Sequence, residues 1–253
     1  MHIRPIRSTA LLLAVTFVLG LMATAQTKRA VTIEDMGTMK RIAAPALSPD
    51  GKWVAYTVST PDVKANKNSA DIWLSSVDGT THRQLTTNAA ADRNPVWSPD
   101  GSRIVFESSR SGENQLWLID VNGGEPRQFT TLSTGASQAV WSPDGTMLAY
   151  VSEVFPEYAH LPFKESDEQN KKKLEQLESG KVKAQIFTRL LYRHWDHWVE
   201  GKRQHIFLQP LAGGEPRNLT PGDRDANCFC QRIFFYFHQI CHRNHISLLT
   251  FYF

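Results

Sequence analysis

Short apolar strands along this chain begin the same way three times. "WVAY" (Trp53–Tyr56), "IVF" (Ile104–Phe106) and "MLAY" (Met147–Tyr150) each follow the polar string Ser-Pro-Asp-Gly, at Ser48–Gly51, Ser98–Gly101 and Ser142–Gly145. A large apolar residue stands before each string: Leu47, Trp97 or Trp141. Farther on comes a second apolar run, "DIWLSS" (Asp71–Ser76), "QLWLID" (Gln115–Asp120) and "HIFLQP" (His205–Pro210). A glycine turn follows each: Asp78-Gly79, Asn122-Gly123-Gly124 and Ala212-Gly213-Gly214. Every unit then closes on "RQLT" (Arg83–Thr86), "RQFT" (Arg127–Thr130) or "RNLT" (Arg217–Thr220). Apolar runs of this length, punctuated by Gly, Pro, Asp and Asn, predict strands joined by tight turns.

The turn residues explain the spelling. Serine suits the first position of a type I turn, proline presets φ at the second and aspartate suits the third. Glycine then takes the left-handed conformation that returns the chain to its strand. Each unit therefore reads as an antiparallel meander of about four strands. The turns recur after 50 and then 44 residues, the spacing of β-propeller blades, which bury their faces only against one another. The fold class is all-β: a partial β-propeller of about three to four four-stranded blades, TolB/WD-like, with one helical insertion.

That insertion interrupts the third unit. Asp100 precedes Trp117 by 17 residues, whereas Asp144 precedes the matching Phe207 by 63, so one hairpin carries 46 extra residues. The part "ESDEQNKKKLEQLESGK" (Glu165–Lys181) predicts a solvated helix. Ser166 and Gln169 suit a capping box, Asp167/Lys171 and Glu168/Lys172 are i,i+4 pairs, and Gly180 suits the stop. Only Leu174 and Leu177 offer it an apolar contact. The rest, "FTRLLYRHWDHWVEGKRQ" (Phe187–Gln204), is dense in aromatic and charged residues.

The turns together with "LWLIDVNGGEPRQFT" and "LLYRHWDHWVEGKRQHIFL" resemble the propeller of secreted bacterial peptidases of the prolyl oligopeptidase family. The resemblance is to the dipeptidyl aminopeptidase and acylaminoacyl peptidase branch, from about Asp35 to Asp225. It implies a serine peptidase whose propeller limits access to an α/β-hydrolase domain bearing a Ser, Asp and His triad. No G-x-S-x-G elbow occurs in this sequence; "GASQA" at Gly135–Ala139 runs straight into a blade turn. No catalytic residue is therefore assigned, Ser137 included. The hydrolase domain is expected to be missing from this chain, and whether the chain alone is an enzyme stays open. For a propeller-side contact with a short peptide, the residues of choice are Tyr192, Arg193, Trp195, Asp196 and Trp198 of the insertion, with Glu153, on the loop after a blade strand, as the candidate for the peptide amine. Local packing of the insertion explains the same residues. The alternative function is a non-enzymatic TolB-like periplasmic binding propeller.

Composition bears on where the chain acts. Arg4 and Arg7, the 13-residue apolar stretch Ala10–Met22 and Ala23-Thr24-Ala25 form a secretory signal peptide pattern over residues 1–25. Its removal would leave 26 Lys+Arg against 25 Asp+Glu, so charge gives no reason to expect nucleic acid or a membrane as partner. The expected location is periplasmic or secreted, with no cofactor and no metal. Residues 26–226 are assigned to the partial propeller, with the insertion at about 153–204 inside it. Residues 227–253 change character: they hold eight aromatics, three His and every Cys, but no Asp, Glu, Lys, Gly, Pro or Ala. Cys228, Cys230, Cys241, His242 and His245 are zinc-type ligands in an unfamiliar spacing. A membrane-contacting end is a further reading; the favoured one is a frameshifted tail in place of the next blade.

Overall fold

The computed structural model describes residues 29–181 and 201–226, with the backbone of 193–194 and 197–198. The signal peptide and the tail from Asn227 lie outside the described residues. Residues 29–37 belong to a small amino-terminal unit. There α1 (Ile33–Thr38) is capped reciprocally: the Asp35 amide donates to Thr32 Oγ1 and the Thr32 amide to Asp35 Oδ2.

The larger unit contains three four-stranded antiparallel sheets. The first comprises β1 (Arg41–Leu47), β2 (Trp53–Asp62), β3 (Lys67–Ser76) and β4 (His82–Gln84). The second comprises β5 (Asp92–Trp97), β6 (Arg103–Ser108), β7 (Gln115–Asp120) and β8 (Arg127–Gln128). The third is built from β9 (Ser137–Trp141) and β10 (Met147–Val154), then, past the insertion, β13 (Arg203–Pro210) and β14 (Arg217–Asn218). Each sheet keeps its strands in chain order, as a blade requires. Strand β5 lies against β1, β2 and β3, and β9 against β5, β6 and β7, so each blade's first strand nestles into the blade before it.

Each Ser-Pro-Asp-Gly turn is a closed ring of hydrogen bonds. The Gly101 amide donates to Ser98 O at 2.9 Å, and Ser98 Oγ donates to Asp100 Oδ1 at 2.6 Å while accepting the Arg103 amide at 2.9 Å. The same bonds recur around Ser48 and Ser142. The three glycines sit at φ +71°, +71° and +69°, the left-handed region that glycine tolerates. Ser76-Val77-Asp78-Gly79 builds a fourth copy without proline: Ser76 Oγ donates to Asp78 Oδ1 at 2.6 Å and accepts the Thr81 amide at 2.9 Å.

The turns also touch from blade to blade. A Cβ on Gly101 would stand 3.7 Å from the Pro49 ring, and one on Gly145 would stand 3.7 Å from the Pro99 ring. Trp97 Nε1 donates to Ala46 O at 2.9 Å, and Trp141 Nε1 donates to Val96 O at 3.3 Å. These indoles pin one blade to the carbonyl at the matching place in its predecessor. Leu47 holds the tryptophan position in the first blade and is 61% exposed.

Two apolar clusters fill the spaces between blades. Ala55, Ile72 and Leu74 of the first blade meet Trp97, Ile104 and Phe106 of the second. Val105, Leu116 and Leu118 then meet Trp141, Leu148 and Tyr150 of the third. Burial of this kind contributes about 25 cal/mol per Å² of apolar surface removed from water. The closing threonines have a role of their own: Thr86, Thr130 and Thr220 Oγ1 accept the amides of Ile72, Leu116 and Ile206 at 3.0, 2.9 and 2.9 Å.

Candidate functional site

The insertion leaves the third blade where β10 ends. Expectation placed Glu153 on a loop; it lies within β10, paired with Gln204 of β13, because the strand runs four residues past Tyr150. The excursion therefore spans residues 155–202, shorter at each end than the expected 153–204. Glu153 Oε1 accepts a bond from Gln204 Nε2 at 3.1 Å, and its Oε2 is 3.9 Å from Lys202 Nζ. Half of the Glu153 side chain faces solvent, so it can still take a cationic ligand group. Next to it, Arg203 Nε donates to Asp223 Oδ1 and the Gln204 amide to Asp225 Oδ1, both at 2.9 Å.

After a 3-10 turn at Pro156–Tyr158, α2 (Phe163–Ser179) begins two residues earlier than its charge pattern suggests. Pro162 precedes the first turn and no side chain caps it, so the Ser166–Gln169 capping box does not form. Asp167 is engaged elsewhere: it accepts the Ser133 amide at 2.9 Å and Ser133 Oγ at 2.8 Å. Nor does Gly180 end the helix in left-handed form; its φ is −58°. The helix docks through residues that its apolar pattern hides. Asn170, 1% exposed, accepts the Phe155 amide at 2.8 Å and donates to Ser166 O at 2.7 Å. Lys173 pairs with Glu157 and lies 4.2 Å from the centre of the Phe155 ring. Phe163 meets Phe207 edge to face at 6.3 Å. Of the two expected leucines, Leu177 is exposed and Leu174 is half-buried.

Through Ser133, α2 is tied to the linker between the second and third blades. The chain next described is a hairpin of β11 (Arg193–His194) and β12 (His197–Trp198), with Arg193 opposite Trp198 and His194 opposite His197. Two of the expected contact residues thus share one backbone pair. Tyr192, Trp195 and Asp196 lie outside the described residues, as do the side chains of Arg193 and Trp198.

Ser137 sits in β9 opposite Val151. An antiparallel strand pair is not the strand-to-helix elbow that exposes a nucleophile. His205 is fully buried, with Nε2 against Gly222 O at 2.8 Å and Nδ1 against Asn218 Nδ2 at 3.0 Å. Burial holds its imidazole below the usual histidine range. It fastens the third blade, in the place that Gln115 fills in the second, where Gln115 Oε1 accepts from Thr130 Oγ1 at 2.7 Å.

Comparison with known proteins agrees with this architecture. The TolB beta propeller domain family matches residues 18–183. Dipeptidyl-peptidase 5 of Porphyromonas gingivalis is 36% identical over 185 residues, covering 73% of this chain and 25% of that protein. Its namesake in Porphyromonas endodontalis is 32% identical over 182 residues, covering 72% and 24%. The chain thus spans about a quarter of the length of the curated relatives it matches. Among solved structures, acylaminoacyl peptidase of Pyrococcus horikoshii overlays with a TM-score of 0.53 at 14% identity, over 74% of this chain and 26% of that one. That likeness is one of fold.

Proposed function

The chain belongs to the TolB beta propeller domain family, and from that premise we propose that it is the amino-terminal propeller portion of an exported serine exopeptidase of the dipeptidyl or acylaminoacyl peptidase kind. The propeller gates the access of short peptides to a catalytic α/β-hydrolase domain, where a Ser, His and Asp triad performs acyl transfer. The observation that carries the reading is the 36% identity to a dipeptidyl-peptidase across 185 residues, in a fold whose third blade opens into a long insertion. Glu153 supplies a carboxylate for the peptide's amino group, and Tyr192, Arg193, Trp195, Asp196 and Trp198 complete the contact from the insertion. Residues 1–25 act as the export signal. A TolB-like binding propeller remains the second reading, favoured by the family match itself; it assigns no task to the insertion.

Blade register supports a longer ring. The Ala136 amide donates to Asn114 O at 2.7 Å just before β9 begins, and the Ala226 amide donates to Gln204 O, the matching carbonyl, at 2.8 Å. The chain therefore reaches Ala226 in step for a further inner strand, while the sequence from Asn227 carries no blade turn. Reading the DNA beyond codon 226 in all three frames tests the proposal. Blade turns followed by a G-x-S-x-G elbow in one frame are expected; their absence from every frame would overturn it. Hydrolysis of a dipeptidyl chromogenic substrate by the restored protein separates the peptidase from the binding propeller.

A further inference from the structure

The joint between the first and second blades encloses more acid than base. Asp92, the first residue of β5, is fully buried, and its Oδ2 accepts from Arg110 Nη2 at 2.6 Å. Arg110, on the loop after β6, also donates through Nε to Ser108 Oγ at 3.1 Å. Its guanidinium lies 4.8 Å from the Trp117 ring centre and 5.5 Å from that of Phe106, within reach of a cation–π contact. Asp71 approaches from β3 of the first blade. Its Oδ1 and Asp92 Oδ1 are both buried without a hydrogen-bond partner.

We propose that the Asp71 carboxyl is a proton-binding group that locks the first blade to the second. Asp92 is fully buried and Asp71 half-buried with its Oδ1 shut off from water. Two carboxylates thus share one guanidinium and one negative charge is left unbalanced, an arrangement that a partly desolvated site resists. Asp92 carries the ion pair with Arg110, so Asp71 is the group that can give up its charge. The other blades agree: Gln115 and His205 occupy the Asp71 position, neither of them an acid, and Ala136 stands where the second blade has Asp92. The charged groups acting on Asp71 are Asp92 from β5 and Arg110 from the β6–β7 loop, and the Gln84 amide of β4 opposes their net effect by favouring the charged carboxylate. Val58 of β2 lies opposite and is neutral. Burial first, and the Asp92 charge second, push Asp71 above the usual carboxylate range.

The direction of the pH effect follows. A carboxyl that binds its proton more tightly in the folded state stabilises that state at low pH, and the contribution is lost as pH rises from about 4 through the native value. Within that window the unfolding equilibrium constant grows by up to tenfold per pH unit. The experiment compares urea midpoints of the full chain and its Asp71→Asn variant from pH 4 to 8. The expected result is a parent midpoint that falls, relative to that of Asp71→Asn, as pH rises, so that the variant becomes the more stable of the two at pH 8. Equal slopes, or a variant weaker at every pH, would overturn the proposal. Should the variant not fold, the carbon-13 shift of the Asp71 carboxyl in the unaltered chain decides: titration above the usual aspartate range supports the lock, and titration within that range refutes it. Stabilisation of the parent, but not of Asp71→Asn, by sodium or potassium chloride at pH 8 would assign the site to a metal cation and refute the proton.

Discussion

Asp100→Asn tests why the blade turn is spelled with an acid. Asp100 accepts Ser98 Oγ at 2.6 Å, the Ser102 amide at 3.1 Å and Ser102 Oγ at 2.7 Å. These bonds, the Ser98 hydroxyl foremost, bring its ionisation down to about 2. Against an ordinary aspartate, that difference is worth roughly 2.5 kcal/mol at full strength. The carboxylate is exposed to water, which screens it, so about 1 kcal/mol is the realistic contribution. Asparagine keeps the shape and one accepting oxygen, leaving charge as the main thing lost. A depressed carboxyl contributes stability above the usual aspartate range and loses it as pH falls through about 2. Urea unfolding of parent and variant should therefore differ by about 1 kcal/mol at pH 7, with the gap closing as the medium approaches pH 2. A gap of the same size at both pH values would show that geometry, not charge, decides the turn, and the reasoning would fail.

Two further substitutions probe the inter-blade joints. Gly135→Ala meets a φ of +75° and places its Cβ 2.9 Å from Asn114 O, the carbonyl that holds Ala136, so a loss of about 2–4 kcal/mol is expected in the same unfolding assay; a cost under 1 kcal/mol would contradict the packing. His205→Gln borrows the residue that the second blade uses. Because the imidazole is held neutral, the parent should lose stability relative to the variant as pH falls below about 6.5; thermal melting of both at pH 5 and pH 8 checks the difference.

Much of the scaffold was legible because its turns depend on local chemistry. Ser-Pro-Asp-Gly encodes its own hydrogen-bond ring, and the closing threonines marked the last landmark of each unit. The inner strands were harder to read. Ala44, Asn94 and Gln138 each adopt a left-handed backbone, at φ +48°, +53° and +55°, within a bulge of the first strand. No glycine announces it. The conformation persists because it turns the amide toward the preceding blade: Asn94 N donates to Thr57 Oγ1 at 3.2 Å and Gln138 N to Glu107 Oε1 at 2.8 Å. Such a bond offsets the roughly 1–2 kcal/mol that a left-handed residue costs. Likewise the docking of α2 rests on Asn170 and Asp167, which look like solvent-facing residues within a charged run until their partners, about 15 and 34 residues away, come into place. Periodicity detects apolar stripes; it is blind to a polar side chain whose partner is distant. Of the contact residues, Glu153 proved to be a strand residue because β10 continues through an acid that the strand pattern does not predict.

The account rests on successive blades meeting in one repeated register, fastened by an indole. Hydrogen exchange at the indole N–H groups of Trp97 and Trp141, assigned with Trp97→Phe and Trp141→Phe, reads that register directly. Both groups should exchange far more slowly than an exposed indole, with Trp97 the slower, since its bond to Ala46 O is 2.9 Å against 3.3 Å for Trp141 to Val96 O. Exchange of both at the rate of a free indole would mean that the blades do not stack as described.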